Sequence, residues 1–350
     1  MKKFIVPLAL FLCLSSCKYL HIDAFTGSTL VWESGSNNYF NQEKANDLKV
    51  PDEILISGEV PSETSVKLKK IPWHSVTTRE VVMSGDTAKF LGTFRYDGYA
   101  LCDLLSSVKI DKKSKENFYP PVDLFIEVWN DKGEYAVFSW GELFYSANMY
   151  QVIIAKTVTR VIPGKSKQLW DLPEESKLVV GYDLFSERNI SSPTKIIIKS
   201  LAGNFIINRE PQKFFSDTLL IKSGNEVLKK YSALPSDLPV VTHKTVFYGH
   251  GMGYKGVQEF SGVDISKILK QSFSSDKKSL ATSMLCVEAV DGYRASFSLS
   301  EIINRNDQQE PLLMYGKGGE KGRERFSLYA GCDMFADRAI KGLSCITIFK

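Results

Sequence analysis

Past its first twenty residues, the chain has no run approaching the ~20 consecutive apolar residues that a membrane-spanning helix needs, so no later segment reads as a transmembrane helix. Cysteine and histidine are scarce, six and four in 350 residues, and no C-x-x-C pair occurs. A thiolate zinc site is therefore not expected, and His243 and His250 have no acidic or cysteine partners near them in sequence. Neither sign of charge dominates: 44 basic and 40 acidic residues are interspersed, for a formal net charge of +4. No basic stripe is left for nucleic acid. Strands and helices do not alternate in a βαβ rhythm, which argues against a parallel α/β sheet.

What is present begins at the N-terminus. Lys2 and Lys3 precede an apolar stretch, Phe4 to Leu14, too short to span a bilayer as a mature helix. It runs into Leu14-Ser15-Ser16-Cys17, which resembles a bacterial lipobox. That implies removal of residues 1–16, acylation of Cys17 and stable anchoring to a membrane of the cell envelope. Residues 17–49, rich in Ser, Asn, Gly and Thr, read as a tether. The remaining residues suit two domains of about 150 residues each.

Those two portions say nearly the same thing. Gly181-Tyr182-Asp183-Leu184-Phe185-Ser186-Glu187-Arg188 recurs as Gly331-Cys332-Asp333-Met334-Phe335-Ala336-Asp337-Arg338. Phe138-Ser139-x-x-Glu142 recurs as Phe297-Ser298-x-x-Glu301. Upstream, Gly85, Phe90, Gly92, Tyr96 and Gly98 meet Gly249, Tyr254, Gly256, Phe260 and Gly262 at a constant offset of 164. Three matches in one order read as a tandem duplication, with domains at 50–200 and 215–350 and a linker at 201–214.

Each unit opens on an extended segment, at Glu53–Val60 and Asp217–Gly224. A helix signal follows in Leu101, Leu104, Leu105 and Val108, and again in Ile265, Ile268, Leu269 and Phe273. Hairpins are expected around Asp131-Lys132-Gly133 and Asp291-Gly292. Ser139/Glu142 and Ser298/Glu301 have the spacing of capping boxes, which gives two repeated carboxylates a structural role as an alternative to a catalytic one. Strands mixed with short helices predict an α+β fold.

Phe260-Ser261-Gly262-Val263, Asp291-Gly292-Tyr293 and Arg338-Ala339-Ile340-Lys341-Gly342-Leu343, with the closing D-x-F-x-[DE]-R run, resemble the molybdopterin-binding domain of the sulfite oxidase family. The resemblance implies two tandem α+β domains of that type. In the family, a cysteine thiolate two residues before a turn glycine ligates molybdenum. Here that position holds Met83, in Met83-Ser84-Gly85, and Phe247, in Phe247-Tyr248-Gly249. A thioether is a poor substitute for a thiolate on a high-valent metal, and a phenyl ring is none. Cofactor-loaded members usually leave the cytoplasm folded, by the twin-arginine route; this chain has Lys2-Lys3.

The residues singled out for ligand binding are Met83, Ser84, Phe247, Tyr248 and His250 in the two turns, with Arg188 and Arg338, which the resemblance places near a pterin phosphate. An ion pair with Asp183 or Asp333 is the alternative for the arginines. Trp73 and His74 read either as an aromatic wall or as core. Cys332 and Cys345 read either as a disulfide or as buried free thiols. The functional expectation is an envelope lipoprotein that binds a small ligand or a protein partner without catalysis or cofactor. The alternative is a molybdopterin-dependent oxidoreductase of the sulfite oxidase type.

Overall fold

The structure, a computed structural model, describes residues 40–350 apart from 86, 204, 206, 208–214, 250, 319–322 and 350. The first half opens with β1 (Phe40–Gln42), β2 (Asn46–Asp47), β3 (Glu53–Gly58) and β4 (Thr64–Lys67). A long hairpin follows, β5 (Trp73–Ser84) and β6 (Thr87–Ala100), then helix α1 (Leu101–Ser106). Next come β7 (Leu124–Asn130), β8 (Tyr135–Ser139) and α2 (Trp140–Phe144). The half closes with β9 (Val152–Pro163), β10 (Leu178–Val180) and β11 (Pro193–Ser200).

The second half repeats much of this plan with β12 (Leu219–Ser223), β13 (Glu226–Tyr231) and the hairpin β14 (Val240–Gly249) and β15 (Gly253–Asp264). Helices α3 (Ile265–Ser272) and α4 (Lys277–Thr282) lead to β16 (Met284–Ala289), β17 (Arg294–Ser298) and α5 (Leu299–Ile303). The chain finishes with β18 (Leu312–Gly318), β19 (Arg323–Tyr329), β20 (Ile340–Lys341) and β21 (Leu343–Phe349).

These strands make four sheets, set out as the four blades of a β-propeller. In each half one blade has the same five-strand plan: β4-β3-β11-β7-β8 in the first, β13-β12-β21-β16-β17 in the second. Each plan joins its opening strand to its closing strand in parallel, β3 with β11 and β12 with β21, inside an otherwise antiparallel sheet. The other blades hold the long hairpins, as β1-β9-β6-β5 with β2 and β10 on β9, and as β14-β15-β18-β19-β20. β1 and β2 thus fall in the stretch read as a tether and pair with β9.

The expectation of two tandem α+β domains of the sulfite oxidase type is overturned by this architecture. The five described α-helices are only five to eight residues long, one or two turns each. The glycine-spaced stretches, which carry no strong period, fold as hairpins of twelve and fourteen residues a side in the first half. The periodic leucines of Leu101–Val108 do make a helix, but it ends at Ser106 and lies as a connector between strands.

The core crosses the midline. The second half's apolar cluster, built on Leu219, Ile221, Leu285, Phe297, Ile346 and Ile348, also takes in Phe118 and Val122 from the first half, and Met83, Tyr145 and Phe185 pack against it.

Candidate functional site

The repeated motifs meet at the boundary between the halves, where they build one charge cluster with approximate twofold symmetry. In the first half the Arg188 guanidinium donates two bonds to Asp183, at 2.7 and 2.8 Å, and pairs with Glu142 at 2.7 Å. It stacks over Phe138, 4.5 Å from the ring centre. In the second half Arg338 does the same with Asp333, Glu301 and Phe297. The serines cross over. Arg188 donates to Ser298 at 3.2 Å and Arg338 to Ser139 at 3.0 Å, while each serine donates to the opposite half's glutamate. The phenylalanine, serine and glutamate of F-S-x-x-E and the first aspartate and the arginine of D-x-F-x-acid-R all enter this cluster; the second acid, Glu187 or Asp337, does not.

Local structure holds these groups in place. Ser298 and Glu301 form a complete capping box at the start of α5. Ser139 accepts from the Glu142 amide, capping α2 on one side only. The closing motifs also cross: Phe185 and Asn304 exchange two hydrogen bonds at 2.8 Å, and the Met334 amide donates to the Tyr145 carbonyl. Gly141 has no room for a Cβ, which would fall 2.3–2.5 Å from the Arg338 side chain.

Both arginines are fully buried and fully engaged by their own carboxylates. That is costly to dismantle, since removing one partner leaves uncompensated charge in a dry site. The cluster's chemistry is not symmetric. Tyr182 donates to Glu142 at 2.7 Å, whereas the equivalent residue on the other side is Cys332. Burial pushes both carboxyls up, but Arg188 together with Tyr182 and Ser298 holds Glu142 below the ordinary range. Glu301, without a tyrosine donor, is pushed by burial up to about 7, and Asp183 to about 6.

Met83 lies near the tip of β5–β6, half-buried against the second half's core; its amide donates to the Glu187 carboxylate at 2.7 Å. Ser84 is exposed and its carbonyl accepts from Thr87. Phe247 stands near the matching tip, packed against Phe260 and Tyr329, which stack on one another 3.9 Å apart. Tyr248 faces outward on the opposite side. His250 lies outside the described residues. Neither Met83 nor Phe247 lines any of the cavities described here. The residues do not fit a molybdopterin: neither turn presents a thiolate, and the arginines have no free face for a phosphate.

The four described cysteines are buried free thiols, so Cys332 and Cys345 are not joined. Burial pushes Cys102 and Cys332 up to about 12, away from thiolate chemistry. Among the described residues no group of three or more metal-ligating side chains converges. Trp73 is 44% exposed and edge-on to Tyr99, rather than core.

Two polar arrangements escaped the sequence reading. His74 meets Asp103 at 2.7 Å and stacks on Tyr150. Asp123, fully buried, is held by Lys112 at 2.7 Å and by Arg294 of the second half at 3.0 Å. Their partners lie 29 and up to 171 residues apart, and neither recurs in the repeat, so no sequence pattern marks them.

A cleft of about 610 Å³ opens between the halves, close to the β5–β6 tip. The first half contributes Val82, Tyr135, Glu134 and Glu187, and α4 of the second contributes Lys278 and Ala281. A larger basin of about 830 Å³ lies within the first half, but it is mostly polar and edged by exposed lysines, including Lys67 and Lys69. Both volumes lie in the range of small-molecule sites, and the cleft differs in being walled by both halves.

No protein-family model matches the chain, and no curated protein does. Among solved structures, the sulfane dehydrogenase SoxCD from Paracoccus pantotrophus matches over 83% of this chain and 77% of that one, at 11% identity and a TM-score of 0.30. A superposition that loose carries no argument about chemistry.

Proposed function

We propose that this is a membrane-tethered, non-catalytic binding protein of the bacterial cell envelope, with its small-ligand site in the cleft between the halves. The observation that carries the reading is the fate of the repeated motifs. Glu142, Glu301, Arg188 and Arg338, the groups of those motifs best suited to acid–base or anion chemistry, are consumed in an internal cluster whose arginines are fully buried. What remains accessible is the cleft, with Glu134 and Glu187 on one wall and Lys278 on the other. The lipobox-like Leu14-Ser15-Ser16-Cys17 supports the tether, and the shared five-strand plan supports descent by duplication.

The test is to purify the protein from its native membrane, denature it and identify what it releases by mass spectrometry. A small organic molecule at near-equal stoichiometry, lost when Ala281→Trp fills the cleft, supports the reading. Stoichiometric molybdenum in the same preparation overturns it in favour of an oxidoreductase.

A further inference from the structure

The outer face of β14–β15 changes character along its length. Near the base its cross-strand pairs are polar: the Thr242 and Ser261 hydroxyls lie 2.7 Å apart, and Lys244 faces Glu259 at 3.8 Å. Toward the tip the pairs become Val246 with Val257 and Tyr248 with Tyr254, and Met252 sits in the turn. These five side chains are between 43 and 64% exposed. Phe335 extends the cluster, edge-on to Tyr248 at 5.2 Å. A register shift beside Val246, with Gly256 at φ +85°, keeps Tyr254 and Val257 on one face.

A solvated sheet face ordinarily carries polar side chains. An apolar group gathered at the end of a projection marks a contact surface instead. The hairpin does project: β15 pairs with β18 only at Val263 and Asp264, so Gly253–Gly262 pair with β14 alone.

We propose that this tip dips into the headgroup region of a phospholipid membrane. Tyrosine suits that depth, with an apolar ring and a polar end. Lys255, exposed between the two apolar pairs, suits acidic headgroups. The chain from Cys17 to Phe40 reaches at most about 80 Å, which lets a tethered body bring this face to the bilayer. The proposal rests on the tethered reading for the presence of the membrane, and on the hairpin alone for the contact.

The experiment uses the chain from residue 17 onward with Cys17→Ser, so that no acyl group contributes; every described element is retained. A polarity-sensitive fluorophore on Met252→Cys is compared with one on Phe90→Cys in the first half, the native described cysteines being buried. Vesicles of phosphatidylethanolamine and phosphatidylglycerol are expected to blue-shift the first label and leave the second unchanged. Combining Tyr248→Ser, Met252→Ser and Tyr254→Ser is expected to weaken vesicle co-sedimentation about ten-fold or more. Undiminished binding by that variant overturns the proposal. So does a blue shift that grows with protein concentration in the absence of vesicles, which would mark self-association. Failure of the native chain to incorporate labelled palmitate would remove the tether while leaving the vesicle result to stand.

Discussion

The two long hairpins occupy matching places in the repeat and meet different fates. β6 pairs with β9 from Phe94 to Ala100, and β9 is itself covered by β1, β2 and β10. The outer edge of β5 is sealed as well: Ser186 bonds Val81 through both its amide and its hydroxyl, and Glu187 accepts from the Met83 amide. In the second half the positions of Ser186 and Glu187 hold Ala336 and Asp337. A methyl group cannot accept a hydrogen bond, and β15 shares only two residues with β18. An exposed strand edge is normally blunted or covered. The comparison teaches that both halves keep the motifs that join them, while the second hairpin is held to its sheet by only two residue pairs.

The largest effects should come from breaking what the halves share. Arg338→Met leaves Asp333 and Glu301 buried without their cation and should cost about 3–5 kcal/mol in urea unfolding. Arg188→Met should cost at least as much. If Arg338→Met is nearly neutral, the cluster does not join the halves energetically.

The pH response follows. Glu301 has a folded-state value of about 7 against an ordinary 4.5, so the folded protein holds its proton over that interval while the unfolded chain has released it. Stability should therefore fall as pH rises from about 4.5 to about 7 and level off above. Asp183 adds in the same direction, and Glu301→Gln should flatten the profile measured by urea titration at each pH.

Gly141→Ala drives a methyl into the immobilised Arg338 side chain and should destabilise by about 2 kcal/mol despite alanine's better helix propensity. Its counterpart Ser300 already carries a Cβ, so Ser300→Ala should lose only the bond it donates to the Leu280 carbonyl and the one it accepts from Asn304, about 1–2 kcal/mol. The smallest change sharpens the hairpin comparison. Ser186→Ala, which gives the first half the second half's residue, should cost about 1 kcal/mol and speed amide exchange at Val81.

The hairpins at Asp131 and Asp291 and the cap at Ser298 were legible because each is written in local spacing. The partnership of Arg188 with Asp183 was legible for the same reason, five residues apart. The crossing of Ser139 and Ser298 to the opposite half was not, since sequence shows that a motif recurs but not that its two copies touch. The α+β expectation failed because glycine spacing in Trp73–Ala100 and Val240–Asp264 masks the alternation of long strands, while short helices carry conspicuous leucines. His74 with Asp103, and Asp123 with Lys112 and Arg294, depend on tertiary proximity alone.

The four described tryptophans, Trp73, Trp129, Trp140 and Trp170, lie in the first half, and the second half has none, so with Trp32→Phe in place tryptophan fluorescence reports the first half's unfolding. Ile346→Ala cuts a fully buried side chain deep in the second half's core and should cost about 2–5 kcal/mol. If the repeated motifs serve to bind the halves into one body, the tryptophan-monitored urea midpoint will fall in step with the midpoint seen by far-ultraviolet circular dichroism. A tryptophan transition left at its wild-type midpoint, while circular dichroism shows the second half unfolding early, would contradict the account.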